Sequence, residues 1–498
     1  MNRCFCANKK GVFKLIKMDF SKKTFRNLVN QSNKMIESWY SQKIRGEKIY
    51  ENKTPSEIKK VFRLGEKNKQ CKPEDVLSHL DKNLLKYSNF NPSPNYYGYI
   101  TGSGNQIGVI GEFLKSALNQ NNLKWHSAPA NTEIEKICID WISKFIGYYN
   151  KKSGGVFVSG GSVANLMNIA IIRKIKGHDS INKDGIYGSK KMRIYVSKES
   201  HSSIDKAMDI LGLGINNLVK IEVDDEFKLQ PKLLRKKIRE DLNKNLLPIG
   251  VIGTAGTTNT GSIDPLDAIS KICEDFNLWF MVDAAYGGPA ASLSSYKRNF
   301  KGLDKADSIL INPHKWLFVP FEVACVIVKN KDHLKKTFSL IPEYLQGGTE
   351  IEERDDLMNY SIQLSKDFKA LKVWMTIKTF GYNKIQRSIN NDIDMAKYAY
   401  QIAKKDPLFQ PLHYPELSIL CFKYLSNSPK VSDSLLNKKI TEMIEEDGRV
   451  FLSGTKINNE YVLRINCVNH RREKQDIDFL FKVLRDIAKL AEEKAESY

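Results

Sequence analysis

Lys315 stands in the run Asn312-Pro313-His314-Lys315-Trp316, between two apolar stretches, Ile309-Leu310-Ile311 and Leu317-Phe318-Val319. A lysine at the end of a buried strand has its charged form disfavoured and becomes a usable amine nucleophile. Upstream, Phe280-Met281-Val282-Asp283-Ala284-Ala285-Tyr286-Gly287-Gly288 reads as a second apolar strand, ending in a carboxylate. Taken singly, Lys315 reads as a surface lysine and Asp283 as a turn or cap residue. As a pair they match what a pyridoxal phosphate enzyme needs. The lysine holds the cofactor as a Schiff base, and the aspartate keeps the pyridine nitrogen protonated so that the ring accepts electrons.

Three further segments suit the same cofactor. Gly155-Val156-Phe157-Val158-Ser159-Gly160-Gly161-Ser162 runs from strand through a glycine turn into a helix. Free N–H groups at such a helix start bind phosphate, and Ser162 adds a hydroxyl. This turn is neither a Walker loop nor a full dinucleotide fingerprint. Ser200-His201-Ser202-Ser203 follows the strand Ile194-Tyr195-Val196. An imidazole there can stack on a flat ring and move a proton. The turn Gly253-Thr254-Ala255-Gly256-Thr257-Thr258-Asn259-Thr260-Gly261-Ser262-Ile263-Asp264 offers close backbone approach and hydroxyl contacts.

The ordered set SGGSVANL, SHSS, GTAGTTNTGSID, VDAAYGG and NPHKW resembles the group II pyridoxal phosphate decarboxylases. That family includes the aromatic-L-amino-acid, glutamate, histidine and cysteine-sulfinate enzymes. The resemblance runs from about Met18 to the C-terminus. It implies an α/β fold of the aspartate aminotransferase type (type I), with a mainly parallel seven-stranded sheet, a smaller α+β domain and an N-terminal helical arm. It also implies a homodimer that turns an L-amino acid into an amine and carbon dioxide.

By the same resemblance, Lys315 carries the cofactor and Asp283 pairs with its ring nitrogen. Ala285 lies on one ring face and His201 on the other, where His201 is also a catalytic group. Gly161 and Ser162 hold the phosphate with Asn312 and His314 nearby. Thr258 touches the cofactor, and Asp264 supports the site from behind. Holding the scissile bond perpendicular to the ring selects decarboxylation over other outcomes. In aromatic members a mobile-loop tyrosine protonates the carbon left behind. Counting back from Gln363–Trp374 puts Leu357 at that position, with Tyr360 one turn later. The expected product is the amine, with Tyr360 or His201 as the acid. The aldehyde of a decarboxylation-dependent synthase is the alternative outcome.

Strands at 155–158, 193–196, 249–254, 278–284, 307–312 and 322–329 alternate with helices at 165–176, 201–212, 231–242 and 265–276. Alternation of this kind predicts an α/β domain with the site at the strand ends. The division read from the chain is an extension at 1–17, a helical dimerisation segment at 18–100, a large cofactor domain at 101–390 and a small α+β domain at 391–498. The small domain has helices near 391–404, 433–445 and 474–495, and strands near 417–424 and 461–467. The stretch 43–73 reads as polar and loop-rich. Tyr96, Tyr97 and Tyr99 form an aromatic cluster suited to a substrate wall, which favours an aromatic substrate. Glutamate or cysteine sulfinate would need a dedicated cation.

Composition bounds the rest. The 498 residues are 41% hydrophobic and 27% charged, enough for two or three globular domains. The formal charge is +21, but lysine is spread along the chain instead of forming a basic face. That pattern argues against nucleic acid as a partner. No apolar run approaches the roughly 20 residues of a membrane span. Residues 1–17 lack the apolar core of a signal peptide. Eight scattered cysteines show no zinc spacing, and no metal is expected. These features predict a cytoplasmic enzyme with reduced thiols.

Overall fold

The computed structural model describes residues 5–7, 13–15, 18–42, 44–46, 48–63, 70–178, 180–340, 354–426, 428 and 431–496. Two compact units divide the chain. The first comprises residues 1–90 and 446–449, and the second the remainder.

The first unit holds a short hairpin, β1 (Phe5–Ala7) and β2 (Phe13–Leu15), and three helices: α1 (Lys22–Gln42), α2 (Pro55–Phe62) and α3 (Pro73–Asn83). The rest of the 1–17 extension lies outside the described residues. Helix α1 is the amphipathic arm expected from Met18. Helix α2 interrupts the stretch read as loop-rich. Its start is a capping box, in which the Thr54 hydroxyl accepts from the Glu57 N–H and the Glu57 carboxylate accepts from the Thr54 N–H. The T-x-x-E spacing was present in the sequence to be read.

In the second unit, α4 (Gln106–Leu118) and α5 (Pro129–Phe145) lead into β3 (Gly154–Val158) and α6 (Gly160–Lys176). The alternation continues through a single-turn α7 (Ile181–Asp184), β4 (Met192–Ser197), α8 (Ser203–Ile210), β5 (Leu218–Ile221), α9 (Pro231–Asn243), β6 (Leu247–Thr254), α10 (Leu266–Asp275) and β7 (Trp279–Asp283). Strands β8 (Ser308–Ile311) and β9 (Ala324–Val328) and helix α11 (Asp332–Phe338) complete it. The seven strands lie in the order β3-β9-β8-β7-β6-β4-β5. Only β9 runs against its neighbours. Side chains alternate between the faces, so Phe280 and Val282 enter one core and Met281 the other. Strands this deeply buried on both faces read as continuous apolar runs, which is why most were legible. The four-residue β5 was not.

Helix α12 (Ala370–Lys405) begins well before the predicted 391 and is broken at Gly381, where φ is 63°. Beyond it, β10 (Phe409–Pro411), β11 (Ile419–Tyr424), β12 (Ser453–Ile457) and β13 (Glu460–Asn466) form an antiparallel sheet in the order β10-β11-β13-β12. Residues of α12, α13 (Asp433–Asp447) and α14 (Lys474–Glu496) share a core with this sheet. No helix among the described residues is long and apolar enough to cross a membrane.

Candidate active site

The ends of β3, β4, β6, β7 and β8 and the start of β9 meet at one edge of the large sheet. Val158 pairs with Ala324, Ile311 with Cys325, and Thr254 with Asp283. A cavity of about 340 Å³ opens there. Every predicted site residue from Gly161 to Lys315 lines it except Asp264, which was placed behind it.

One end of the cavity is built for an anion. Gly160 turns the chain at φ 75° and opens α6, and the N-cap Ser159 makes no side-chain cap bond. The first-turn N–H groups of a 17-residue helix therefore lack a side-chain cap. Gly161 is required, because a Cβ there would stand 2.9 Å from Asn312 Nδ2. Asn312 is buried, and its Oδ1 has no hydrogen-bond partner. Thr254 Oγ1, on the same cavity, is equally buried and unpartnered.

At the other end, Asp283 is oriented by two donors. Asn165 Nδ2 donates to Oδ2 at 3.1 Å, and the Ala285 N–H donates to Oδ1 at 3.1 Å. Asn165 Nδ2 also donates to Ser203 Oγ at 2.9 Å. His201 Nδ1 lies 2.7 Å from that hydroxyl and accepts from the Ser203 N–H at 3.1 Å. Nδ1 is therefore an acceptor, which leaves the ring proton on Nε2. Burial lowers the His201 pKa, Asp283 opposes the shift, and Lys315 adds to it. The ring is thus neutral at neutral pH. Asn165 and Ser203 were not singled out from sequence, although both lie inside the quoted motifs.

Lys315 lines the same cavity. Burial lowers its ammonium pKa, Asp283 opposes this, and Arg464 adds to it. Its neighbour Trp316 is fully buried, donates Nε1–H to Asp392 at 2.8 Å, and stacks on Tyr286 with centroids 4.8 Å apart. Burial pushes the His314 pKa down to about 3, so this ring is also neutral. Its Nδ1–H donates to the Val323 carbonyl at 2.6 Å. Arg464 donates to the Thr258 carbonyl at 2.6 Å and fixes the turn that presents this residue. Asp264 accepts from the Thr254 and Leu229 N–H groups, both at 2.8 Å, and burial pushes its pKa up to about 6. It supports the site through the backbone of Thr254.

Two sequence expectations are corrected. Tyr96, Tyr97 and Tyr99 do not line the cavity. Tyr97 is fully buried in the small-sheet core, where its hydroxyl donates to the Asp476 carbonyl, and Tyr99 is exposed. Nor does the 357–360 turn reach the site. Leu357 packs in a sheet core, and the Tyr360 hydroxyl donates to Asp355 at 2.6 Å. Asp355, itself held by Lys331 and Lys335, anchors the Tyr360 hydroxyl, and Tyr360 does not line the cavity. The start of the segment counted back from Trp374, residues 350–353, lies outside the described residues.

The residues present fit pyridoxal phosphate. The uncapped start of α6 would take the phosphate, with Asn312 Nδ2, the amide atom nearest Gly161, as a donor beside it. Asp283 and Lys315 line the same cavity and interact electrostatically, the carboxylate and amine that the ring nitrogen and the carbonyl would need. Among the described residues no cluster of three or more histidine, cysteine or acidic side chains is placed to hold a metal. Fold and site together define a pyridoxal phosphate enzyme of the type I fold. Residues 55–425 match the model of the pyridoxal-dependent decarboxylase conserved domain. The chain is 31% identical to an aromatic-L-amino-acid decarboxylase of Bacillus atrophaeus, over 86% of this chain and 87% of that protein. It is 30% identical to 4-hydroxyphenylacetaldehyde synthase of Rhodiola rosea, over 83% and 85% respectively. The crystal structure of Catharanthus roseus tryptophan decarboxylase in complex with L-tryptophan superposes with a TM-score of 0.87 at 25% identity, covering 96% of this chain and 100% of that one. The chain belongs to the pyridoxal-dependent decarboxylase family and is a pyridoxal phosphate-dependent carboxy-lyase.

Proposed function

We propose that this protein decarboxylates an aromatic L-amino acid to the amine and carbon dioxide, as a cytoplasmic homodimer. The observation that carries the substrate class is the charge of the cavity wall. Lys315 is the only lysine or arginine among the described residues lining it, and both histidines are neutral. Glu322 adds a negative charge, while Ile100 and Phe321 add apolar surface. Such a wall suits a flat apolar side chain and offers no counter-charge to glutamate or cysteine sulfinate. The likeness to the Bacillus enzyme points the same way.

When bound, pyridoxal phosphate supplies the electron sink. Lys315 would hold the carbonyl end, and burial, which lowers its pKa, favours the neutral amine that this needs. Asp283 keeps the ring nitrogen protonated. The Gly160–Ser162 turn and Asn312 fix the phosphate. Ala285 and His201, both on the cavity wall, would bracket the ring, and His201 would keep its proton on Nε2. Thr258 closes one wall.

Protonation of the substrate carbon needs an acid; Leu357 has no proton to give and the Tyr360 hydroxyl is bonded to Asp355, which leaves His201 and Tyr344 as candidates. Tyr344 is the one tyrosine between Leu340 and Arg354, in a stretch outside the described residues. The homodimer is supported by a stripe on α4, where Ile110, Phe113, Leu114 and Leu118 are all exposed. Six free cysteines among the described residues support a reducing compartment.

The test fixes the cofactor with borohydride and maps the modified peptide, then assays aromatic and acidic amino acids under air for amine, aldehyde and peroxide. We expect modification at Lys315, amine from aromatic substrates, and a shift toward aldehyde and peroxide in Y344F but not in Y360F. Modification at another lysine, or turnover of acidic substrates alone, overturns the reading.

A further inference from the structure

We propose that Glu322, steadied by Lys369, sets how tightly the protein holds its phosphate-bearing cofactor. The inference rests on the reading that the Gly160–Ser162 turn holds the phosphate. Glu322 lies two residues before β9. That strand runs antiparallel to β3 and β8, so its start is brought against their ends. As a result Glu322 Oε2 stands only 3.8 Å from where a Cβ on Gly160 would be, beside the opening turn of α6. Its side chain lines the cavity and is about half exposed, at 49%.

A carboxylate at a helix N-terminus is favoured by the helix dipole, and so is a phosphate. Here the two anions must share one helix end. Glu322 takes no hydrogen bond from the first turn of α6. Its partner is the nearly buried Lys369, at 3.3 Å. Lys369 also faces Asp367 at 3.7 Å, and Asp367 is paired with Lys115 at 2.8 Å. Lys372 is paired with Glu112 at 2.7 Å. Lys369 is therefore the cation that offsets Glu322, and the histidines on the cavity wall are neutral. The arrangement weakens the phosphate hold by one half-screened charge.

The test uses apoprotein of the wild type, E322Q, K369M and the double variant. Each is titrated with pyridoxal phosphate and with pyridoxal, which lacks the phosphate, and tryptophan fluorescence reports binding. E322Q should bind pyridoxal phosphate about tenfold more tightly and K369M about tenfold more weakly, the scale of one unit charge a few ångströms away in a half-exposed cleft. The double variant should return near the wild type. Pyridoxal affinity should not change, and the E322Q gain should shrink at high salt. The inference fails if E322Q leaves pyridoxal phosphate affinity unchanged, or shifts both ligands equally. E322Q decides alone should K369M fold poorly, because glutamine preserves shape. Equal affinity of the wild type for the two ligands would instead overturn the phosphate reading itself.

Discussion

Asn in place of Asp392 should stabilise this protein, and increasingly so as the pH rises. Asp392 sits on α12 with no exposed surface. One oxygen accepts from Trp316 Nε1, and the other is buried without a partner. Burial pushes its pKa up to about 8, against the Trp316 bond and the charge of Arg472. Arg472 itself is occupied by the carbonyls of Pro94, Tyr96 and Asn466. The sign follows from linkage. Below the ordinary carboxyl value of 3.8 both folded and unfolded chains carry the proton, and burial of this group costs nothing extra. From about pH 4 to 8 the unfolded chain releases the proton while the folded one keeps it, so stability falls, and above 8 the loss levels off. At pH 7 the loss is about 4 kcal/mol, and between pH 5 and 8 it grows by about 3–4 kcal/mol. The D392N amide keeps the acceptor for Trp316 and mimics the protonated acid. With roughly 2.1 cal/mol/K per residue, unfolding of all 498 residues together turns this into a Tm gain growing by about 3–4 °C over that range. Thermal scans of wild type and D392N holoenzyme at matched scan rate, from pH 5 to 8, measure the difference. A pH-independent difference would refute the argument. D392L is the control, since it lacks both the carboxyl and the acceptor for Trp316; it should lie about 1–3 kcal/mol below D392N at every pH while showing the same pH trend against the wild type.

Two further outcomes are expected. Lys366 and Glu135 form an ion pair at 2.8 Å with neither side chain exposed, and Phe157 bonds to both partners. K366M or E135L alone should cost about 3–5 kcal/mol by stranding a buried charge, and K366M/E135L together should recover most of it. Thermal scans read this, and additive losses would refute the coupling. On α4, F113E with L114E should convert the proposed dimer to a monomer by light scattering at matched concentration. An unchanged mass would remove the helix stripe from the interface.

The cofactor site was legible because its residues sit in short local motifs. A strand, a glycine turn and a helix start are contiguous in the chain, and so are a strand end and its lysine. Asn165 and Ser203 lay within those motifs, yet their bridging of His201 to Asp283 depends on α6 and α8 packing side by side. Tyr97 and Tyr99 are separated by one residue, but the first is buried in the small-sheet core and the second is exposed. An aromatic cluster in sequence carries no information on that choice. Tyr360 became a candidate acid by position alone, and counting along a chain says nothing of which turn is pinned by Asp355.

Local chemistry along the chain determined the strands, the phosphate turn, the paired Lys315 and Asp283, and with them the cofactor and the family, because each is encoded by neighbours within about a dozen residues. Tertiary structure alone decided which charges face the cavity, that Glu322 shares a helix end with the phosphate, that Asp392 is buried under Trp316, and that Tyr360 is held away. Those outcomes depend on burial and on approach between segments far apart in sequence. Both the cost of desolvating a group and the strength of its nearest charge are set only once those segments have packed.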